Sequence, residues 1–560
     1  MLVSKVFSVV TLFFFSFYVE QYESAKILFY FGSSIYSHKV AVWPLVLKLA
    51  EKGHQITFLS PPFPKDKPTT SSEQTPTQSA LNNNVRIFHP KSLVVFWQEK
   101  ENNNRTRDAI TSRVQGYSDG QGYWDASMQN ALEICRVIFR SLEVQEWVEA
   151  KVQEFDLVVI DTPYNECALA LAHRLGCPHI LFGTTSLYMW HQEMFGLPDE
   201  TSWLPNYYYH FPTEMSFLQR VRNALTPLQW FYSTNRVSYI VPQLEKLMRK
   251  SLNVTDLPPL DELERSTSLF LLNTHFIQEY PRSLPPFVVP VGGLHLLDRV
   301  DEDDGDQELS PDITEFLDKY AENGFIYMSF GTQVEFSRAP AIVIEKFINT
   351  FIILEMPVLW KCDDVENAPN EKPKRVHIAK WLPQTAILSH PKIKAFITNG
   401  GALSHQEAIF YSVPVIAFPL TPEEDYNSII IEKSMIGFMM NIAYFTQYEL
   451  ATNVRRLISD VTYKNNVMRL SELFKDRPQQ PVDTAVWWTE YTIRHKNLTF
   501  TKPLAIYQPW YQRRLLDVWI FLGFTVFGSL ITLVISVNYI FCNNNKPPLV
   551  IKSSKKVKTA

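Results

Sequence analysis

The sequence lacks the features that mark several common protein classes. Its 560 residues include only five cysteines, with no CxxC pair and no metal-ligand spacing, so it predicts neither a disulfide framework nor a metal site. The net charge of -5 is small for this length and gives no basic face for nucleic acid. A GxGxxG sequence is also absent, so the fingerprint of a dinucleotide-dependent dehydrogenase is missing.

The chain is long and rich in apolar residues. Hydrophobic residues make up 46% of it and aromatic residues 14%, which is enough for large cores. A chain of 560 residues predicts two or three domains rather than one.

Both ends of the chain predict a membrane protein. Residues 1–25 combine a lysine, an uncharged apolar run and small residues, which is typical of a secretory signal peptide; a first transmembrane helix is the alternative. Residues 518–542 carry no charge and are long enough to cross a bilayer core of ~30 Å. The tail at 543–560 has five lysines and no acidic residue, so the positive-inside rule places it in the cytoplasm.

The compartment is indicated by the last lysines and by three sequons. Lys556 and Lys558 resemble a dilysine signal for retrieval to the endoplasmic reticulum, with a basic flank that only sets topology as the alternative. Asn104, Asn253 and Asn497 begin N-x-T sequons on the predicted lumenal side. We therefore expect a single-pass type I protein of the endoplasmic reticulum membrane with lumenal catalytic domains.

The N-terminal half predicts a doubly wound sheet. Apolar strands at 26–31 and 55–59 flank a helix at 43–51, which makes a β-α-β unit. Further along, 188–232 is rich in aromatic residues and predicts either a wall for an apolar acceptor, a membrane-facing patch or an ordinary core. The acidic stretch at 298–308 predicts a solvated linker before a second α/β domain.

Two side chains of this half are candidates for acid–base chemistry. His38 lies in the loop after the first strand, and Asp161 ends a later strand at 157–160. Ligand groups in such sheets lie at the carboxyl ends of strands, so both fall at one predicted crevice. There a carboxylate can orient a histidine base. From position alone, an ordinary surface or buried histidine stays the alternative for His38.

The stretch 381–427 holds the strongest chemical signal. A strand at 395–398 runs into Asn399-Gly400-Gly401, and a helix at 402–411 follows. The free N–H groups and the positive dipole end of a helix N-terminus favour phosphate, and the glycines allow a close approach. For the glycines alone, an ordinary tight turn is the alternative.

The residues around this turn resemble a family signature. In chain order the stretch supplies Trp381, Pro383, Gln384, Thr398, Gly400, Gly401, Glu407, Ala408, Pro419, Leu420 and Asn427. Together with the Ser329-Phe-Gly-Thr332 motif and Gly53-His54, this order resembles the UDP-glycosyltransferases, which include the UDP-glucuronosyltransferases, and the details resemble the insect membrane-bound members.

The resemblance implies a fold and a division of labour. The fold class is α/β, with two facing Rossmann-like domains of the GT-B type and one C-terminal transmembrane helix. The implied acceptor-binding domain is 26–285, and the implied UDP-sugar-binding domain is 286–510. After the signal peptide at 1–25 and these two domains come the helix at 518–542 and the lysine-rich tail at 543–560.

The resemblance also implies a role for each matching residue. His38 deprotonates the acceptor hydroxyl, and Asp161 orients His38. Trp381 stacks on the uracil, where an aromatic face is a platform. Gln384 and Glu407 bind the ribose hydroxyls.

The remaining matches belong to the diphosphate and the sugar. The implied diphosphate site consists of Gly331, Thr332, Asn399, Gly400 and Gly401. Glu423 and Glu424 occupy the positions that bind the sugar hydroxyls in the family.

Three of these residues depart from the family pattern. Asn399 replaces a histidine and cannot carry positive charge, so weaker diphosphate binding is expected. Glu423-Glu424 replaces Asp-Gln, and the added carboxylate would repel a glucuronate. We therefore expect UDP-glucose to be preferred over UDP-glucuronate.

The function that follows is inverting transfer of a hexose from a UDP-sugar to a hydroxyl of a small lipophilic acceptor, as in detoxification or conjugation. The UDP-sugar is a co-substrate, and neither a cofactor nor a metal is expected. The expected partners are the donor, the acceptor and a membrane, with a homo-oligomer left open and no nucleic acid. A UDP-sugar-binding pseudo-glycosyltransferase with weakened catalysis is the alternative.

Overall fold

The computed structural model describes residues 24–544 apart from 64–83, 103–108, 117–119, 151–153, 163, 199, 207–208, 210, 234–238, 297–308, 333 and 364–372. The predicted signal peptide (except its last two residues), the predicted acidic linker, the sequon at Asn104 and the lysine tail from 545 lie outside the described residues.

The N-terminal half is built on a parallel sheet. Its strands are β1 (Lys26–Tyr30), β2 (Gln55–Leu59), β3 (Val85–Phe88), β4 (Leu157–Thr162), β5 (His179–Gly183), β6 (Leu269–Leu272) and β7 (Val288–Pro290). They pair in the order β3-β2-β1-β4-β5-β6-β7, and every pair is parallel. The strand order reverses direction between β1 and β4, which in such sheets opens a crevice at the carboxyl ends.

Alternation along β1 and β4 fills a core on both faces of this sheet. Leu28 and Tyr30 belong to one buried cluster, while Ile27 and Phe29 belong to the other. Successive strand residues point to opposite faces, so a strand that is apolar throughout must be covered on both sides. The helices of this half are Tyr36–Glu51, Lys91–Asn102, Ala109–Val114, Gly120–Ile138, Leu142–Glu149, Cys167–Leu175, Met189–Met194, Phe217–Ser233, Val241–Leu252 and Leu260–Arg265. Tyr36–Glu51, Gly120–Ile138 and Cys167–Leu175 are among those that cover the sheet, whereas Ile110 of Ala109–Val114 is buried in the core of the second half.

The C-terminal half repeats this plan. Its strands are β8 (Phe325–Ser329), β9 (Val358–Lys361), β10 (Val376–Ala379), β11 (Ile393–Thr398), β12 (Val415–Ala417) and β13 (Gly437–Met439). They pair in parallel in the order β10-β9-β8-β11-β12-β13, with the reversal between β8 and β11. The helices of this half are Pro311–Tyr320, Ala341–Leu354, Gln384–Ser389, Ala402–Phe410, Pro422–Lys433, Gln447–Ser459, Val461–Lys475 and Pro481–His495. The prediction of two Rossmann-like domains is thereby confirmed.

The last of these helices returns to the first sheet. Val482, Ala485 and Val486 of Pro481–His495 are buried in the same cluster as Ile27 and Phe29. On the same helix, Glu490 lies 2.7 Å from the ammonium of Lys52. The helix therefore follows the second sheet in the chain but packs against the first.

One predicted helix start is wrong. The helix predicted at 43–51 begins at Tyr36, and Pro44 lies inside it. A proline is tolerated in the first turn of a helix, so Pro44 suggested a start there. The actual N-cap, Ile35, has no side-chain oxygen to mark the start by a capping bond. As a consequence His38 lies in the first turn of a helix rather than in a loop.

The described residues from Leu504 to Asn544 belong to a separate compact unit. It contains the short helices Leu504–Tyr507 and Trp510–Arg513 and the long helix Leu516–Asn544. The segment Leu516–Phe541 has a mean hydropathy of 2.3, and none of it is buried in protein. It is long and apolar enough to cross a membrane, as the sequence predicts.

Candidate active site

A histidine and an aspartate meet at the crevice of the first sheet. β1 and β4 are parallel neighbours, so the residues that follow β1 lie beside the end of β4. His38 Nδ1 lies 2.7 Å from Asp161 Oδ2, and Asp161 is buried. Ser34 donates a second hydrogen bond of 2.5 Å to the same carboxylate oxygen. The structure therefore brings together the two residues predicted for acid–base chemistry.

The other ring nitrogen of His38 faces Thr184. Thr184 directly follows β5, and its Oγ1 lies 3.1 Å from His38 Nε2. When Nδ1 donates its proton to Asp161, Nε2 is the acceptor of the neutral ring, and the Thr184 hydroxyl can donate to it. The sequence analysis missed Thr184, although it stands at a strand end, where functional groups collect.

Asp161 also sets the basicity of His38. Burial by itself lowers the pKa of His38, because it disfavours the charged imidazolium. The charge and hydrogen bond of Asp161 outweigh burial, and Glu423 adds to their effect, so the pKa of His38 is raised above its usual range. A raised pKa gives the neutral form of the ring more strength as a base.

Two backbone turns at the crevice of the second sheet bend through glycine. Gly331 follows β8 with φ of 75°, and Gly400 follows β11 with φ of 84°, a region that side-chain-bearing residues rarely adopt. β8 and β11 are parallel neighbours, so the two turns lie side by side. The helix Ala402–Phe410 starts directly after the second turn with Gly401 as its N-cap. Such a start leaves N–H groups and a positive dipole end available to an anion.

Gly400 differs from the other glycines of these turns. A Cβ built on it would meet the Ser428 hydroxyl at 2.7 Å, and its carbonyl accepts a 3.0 Å hydrogen bond from Asn427. Both partners belong to the helix Pro422–Lys433. Gly400 thus packs against that helix and is absent from the cavity wall, whereas Gly331 and Gly401 are part of the wall.

The predicted ribose pair is preassembled. Gln384 donates from Nε2 to Glu407 Oε2 at 2.5 Å, and its Oε1 accepts from the Tyr327 hydroxyl at 3.2 Å. The other Glu407 oxygen lies 3.3 Å from His295 Nε2. Their polar atoms are therefore held in place before a ligand arrives.

Lys361 is a cation of this site that the sequence analysis missed. It ends β9, and its ammonium lies 5.0 Å from the ring centroid of Trp381. It also donates a hydrogen bond to the carbonyl of Gly331. Its charge therefore lies between the ring predicted for uracil and a turn predicted for diphosphate. A cation at such a position attracts both an aromatic face and phosphate oxygens.

The two residues of the Glu-Glu pair have different surroundings. Glu424 is buried at the third position of the helix Pro422–Lys433, where it accepts from the N–H groups of Leu420 and Thr421 at 2.8 and 3.0 Å. The amide of Asn399 donates to its other oxygen. Glu423 is only partly exposed to solvent, and its carboxyl group is hydrogen-bonded to the backbone of Ala402 at the start of the helix Ala402–Phe410.

Burial raises the pKa of both carboxyl groups. It raises the pKa of Glu423 to about 7, against the partial opposing effect of His38. It raises the pKa of Glu424 to about 8, although the N–H of Leu420 opposes it. The net charge of the Glu423–Glu424 pair therefore changes within the pH range of ordinary assays.

One cavity of about 440 Å³ joins these groups. Of the residues predicted to form the site, all except Gly400 contribute to its wall: His38, Asp161, Gly331, Thr332, Trp381, Gln384, Asn399, Gly401, Glu407, Glu423 and Glu424. The cavity thus has a wall from each half of the chain. It has the His38–Asp161 pair on one side and the two glycine turns on the other.

The cavity wall has an apolar part. Tyr36, Trp97, Ala131 and Tyr188 belong to it, and the buried indole N–H of Trp97 has no hydrogen-bond partner among the residues that the structure describes. Of the aromatic segment 188–232, Tyr188 lies on the wall, while Phe195 is in the core of the first sheet. The segment therefore contains both a cavity-wall residue and an ordinary core residue.

Comparison with known proteins identifies the family of this chain. The family model for UDP-glucoronosyl and UDP-glucosyl transferase matches residues 26–552. UDP-glucosyltransferase 2 of Dactylopius coccus is 30% identical over 482 residues, which is 85% of this chain and 86% of that protein. UDP-glucuronosyltransferase 1A9 of Mus musculus is 26% identical over 90% of this chain and 88% of its own length.

The fold is shared with solved glycosyltransferase structures at lower identity. The glycotransferase of kitacinnamycin aligns with a TM-score of 0.56 at 16% identity, covering 84% of this chain and 100% of that one. The calicheamicin glycosyltransferase CalG4 aligns with a TM-score of 0.55 at 15% identity, covering 84% and 99%. With the family model spanning nearly the whole chain, this protein belongs to the UDP-glycosyltransferase family and is a glycosyltransferase.

Proposed function

We propose that this enzyme transfers a hexose from a UDP-sugar to a hydroxyl group of a small lipophilic acceptor, with inversion at the anomeric carbon. The observation that carries the proposal is the single cavity in which the His38–Asp161 pair faces the glycine turns and Trp381. The apolar part of the cavity wall supports a lipophilic acceptor. A reaction of this kind is a conjugation, as used in detoxification.

The proposed reaction is a single displacement. His38 Nε2 accepts the proton of the acceptor hydroxyl, while Nδ1 keeps its hydrogen bond to Asp161 and the resulting imidazolium is stabilised. The acceptor oxygen attacks the anomeric carbon from the face opposite UDP. The bond between that carbon and the phosphate oxygen breaks, and UDP leaves with the electron pair.

Charge develops on the departing diphosphate. N–H groups at the Asn399–Gly401 turn, the start of the helix Ala402–Phe410 and the Lys361 ammonium are the groups proposed to stabilise it. Preorganised donors of this kind act where charge appears and need no reorganisation during the reaction. Asn399 has no positive charge to contribute, so Lys361 becomes the main cationic group proposed for this step.

We propose UDP-glucose as the preferred donor. Glu423 and Glu424 give the sugar end of the cavity two acidic groups, and each one that is ionised repels a glucuronate carboxylate. A neutral glucose carries no such charge, and its hydroxyls donate well to carboxylate oxygens.

We also propose that the enzyme is anchored in the endoplasmic reticulum membrane by the helix Leu516–Asn544, with its catalytic domains in the lumen. The apolar helix supports the anchor. The signal-like start, the lysine-rich tail and the sequons of the sequence support this orientation.

The test is turnover resolved by donor, on full-length protein, with phenols and other small hydroxyl compounds as acceptors. His38→Ala should lower transfer by ~10²–10⁴-fold, because the base is lost. His495→Ala is the matched control, since His495 is exposed and lies outside the cavity wall. Transfer that survives His38→Ala would disprove the assigned base.

The alternative is a UDP-sugar-binding protein with weakened transfer. The observation that favours it is the engagement of the Asn399 side chain by Glu424 and Thr398, which takes it away from the diphosphate. Calorimetric UDP binding without turnover of any donor across the acceptor panel would support this alternative.

A further inference from the structure

Over residues 217–226, the helix Phe217–Ser233 turns polar side chains toward the protein and apolar side chains outward. Asn223 is fully buried, accepts from the N–H of Asn206 at 2.7 Å and donates to the carbonyls of Thr201 and Leu204 at 2.8 Å. Thr226, one turn further on, is also buried. Within residues 217–226 the side chains turned toward the protein are therefore polar, and Asn223 is held by hydrogen bonds, whereas a helix of a globular protein normally turns its apolar face inward.

The outer face of the same helix is an apolar stripe, defined as Phe217, Leu218, Val221, Ala224 and Leu225. Phe217 is 68%, Leu218 75%, Val221 40% and Leu225 54% exposed, and Ala224 is exposed as well. At about 100° per residue, these five side chains span an arc of about 120° on the helix surface. Exposed apolar residues scattered singly need no explanation, but a continuous stripe indicates a partner.

An arginine borders the apolar stripe on each side. By the same helical geometry, Arg220 and Arg222 each lie about 40° beyond an edge of the stripe. Both side chains are exposed. Arg220 donates to the Met215 carbonyl at 2.7 Å, and the Arg222 guanidinium lies 4.6 Å from the ring centroid of Tyr209. An apolar face flanked by cations on both sides matches the boundary between acyl chains and anionic headgroups.

We infer that the apolar stripe lies in the surface of a lipid bilayer and gives the N-terminal half a second membrane contact besides the spanning helix. The occupant is lipid rather than a second copy of the chain, because an apolar stripe edged by arginines is complementary to anionic headgroups, whereas facing copies of it would place like charges together. The inference rests on the membrane anchor proposed above and does not depend on sugar transfer.

The test measures the depth of nitroxide labels by power saturation. The full chain is reconstituted in nanodiscs of phosphatidylcholine and phosphatidylserine, with oxygen and a nickel chelate as relaxing agents. Labels are placed singly at Leu218→Cys in the stripe, Leu142→Cys as the matched control and Leu530→Cys in the spanning helix. Leu142 is also a leucine of the N-terminal half and is 77% exposed. A Cys542→Ser background is used, and the cysteines at 135, 167, 177 and 362 are buried.

The expected result is that the Leu218→Cys label relaxes more with oxygen than with nickel, as at Leu530→Cys, while the Leu142→Cys label favours nickel several-fold. A Leu218→Cys label that favours nickel overturns the inference, because the stripe then faces water. A label shielded from both agents also overturns it, because protein then covers the stripe. If the Leu530→Cys label itself favours nickel, the proposed anchor fails, and the inference fails with it.

Discussion

The amide of Asn399 donates a hydrogen bond to the carboxyl group of Glu424, so two departures from the family pattern are in contact with each other. By the resemblance described in the sequence analysis, the first stands where the family has a histidine in the glycine turn, and the second stands where it has a glutamine. The same carboxyl group accepts from two N–H groups at the start of the helix Pro422–Lys433. The pair thus fixes the glycine turn to the neighbouring helix, and the two substitutions are expected to act as one unit.

The first prediction is therefore that Asn399 and Glu424 are energetically coupled. Asn399→His or Glu424→Gln alone should destabilise the protein and raise the KM for the UDP-sugar, because each changes one of the two side chains that form this hydrogen bond. The double variant restores the pair that the family uses and should recover part of the loss. The expected coupling free energy is ~0.5–3 kcal/mol, measured by a double-mutant cycle in urea unfolding and in KM.

Glu449 provides the control for that cycle. It occupies the third position of the helix Gln447–Ser459, and its N–H donates to the N-cap Thr446 at 3.2 Å. Glu449→Gln should therefore behave as an ordinary substitution near a capped helix start and be additive with Asn399→His. Additive effects of the Asn399 and Glu424 variants would show that their contact is incidental.

Lys361 leads to a prediction about donor affinity. Lys361→Met removes the cation between Trp381 and the Gly331 turn, so the Kd of UDP measured by calorimetry should rise about tenfold, equivalent to ~1.4 kcal/mol. Lys361→Arg should retain most of the affinity because it keeps the charge. Lys346→Met is the matched control, since Lys346 makes a similar contact of 5.1 Å with the Phe445 ring but is not part of the cavity wall. Unchanged UDP affinity in Lys361→Met would contradict the assignment.

The strands of this fold were predictable from sequence, whereas several contacts of the site were not. A short apolar run that ends close to a glycine is typical of a buried strand, which is why β1 and β11 were predicted close to their actual bounds. Lys361 and Thr184 were missed because their importance depends on which neighbouring side chain each faces at its strand end. Local sequence carries no information on that direction.

Long-range packing is a second feature that could not be predicted from the sequence. The helix Pro481–His495 has an apolar face that either sheet can cover, and its position along the chain favours the second, yet it packs against the first. Likewise, Asn399 and Glu424 are separated by 25 residues, and their sequence positions suggested two independent changes. Only the placement of β11 beside β12 brings them together.

The raised pKa of His38 leads to a prediction about pH dependence. The base must be neutral, so kcat/KM should rise with pH through the pKa of His38. Asp161→Asn removes the charge that raises this pKa and leaves burial, which lowers it, so the rising limb should move to lower pH while kcat falls. Asp156→Asn is the control: Asp156 accepts from the N–H of Lys26 at 2.8 Å and lies off the cavity wall. If the rising part of the kcat/KM–pH profile stays at the same pH in Asp161→Asn, His38 is excluded as the titrating base.

The lumenal orientation is tested by the two described sequons. Asn253 and Asn497 are both exposed, so a transferase on the lumenal side can reach them. In cells, Asn253→Gln and Asn497→Gln should each remove one glycosidase-sensitive step in electrophoretic mobility. If glycosidase treatment leaves the electrophoretic mobility of the wild-type protein unchanged, the lumenal orientation is not supported.

The Glu423–Glu424 pair makes donor selectivity depend on pH. Burial places the pKa of Glu423 at about 7 and that of Glu424 at about 8, so raising the pH from about 6 to about 9 converts the pair from mostly neutral to mostly charged. A glucuronate carboxylate is repelled only by the charged forms, so the ratio of kcat/KM for UDP-glucose to that for UDP-glucuronate should increase over this range. The two donors share UDP, so effects of pH on His38 and on the diphosphate site cancel in the ratio.

The double variant Glu423→Gln/Glu424→Gln should give a ratio of kcat/KM values that does not change with pH and is lower than that of the wild type at alkaline pH. A ratio that falls with pH, or one that the double variant leaves unchanged, would mean that these carboxyl groups do not face the sugar.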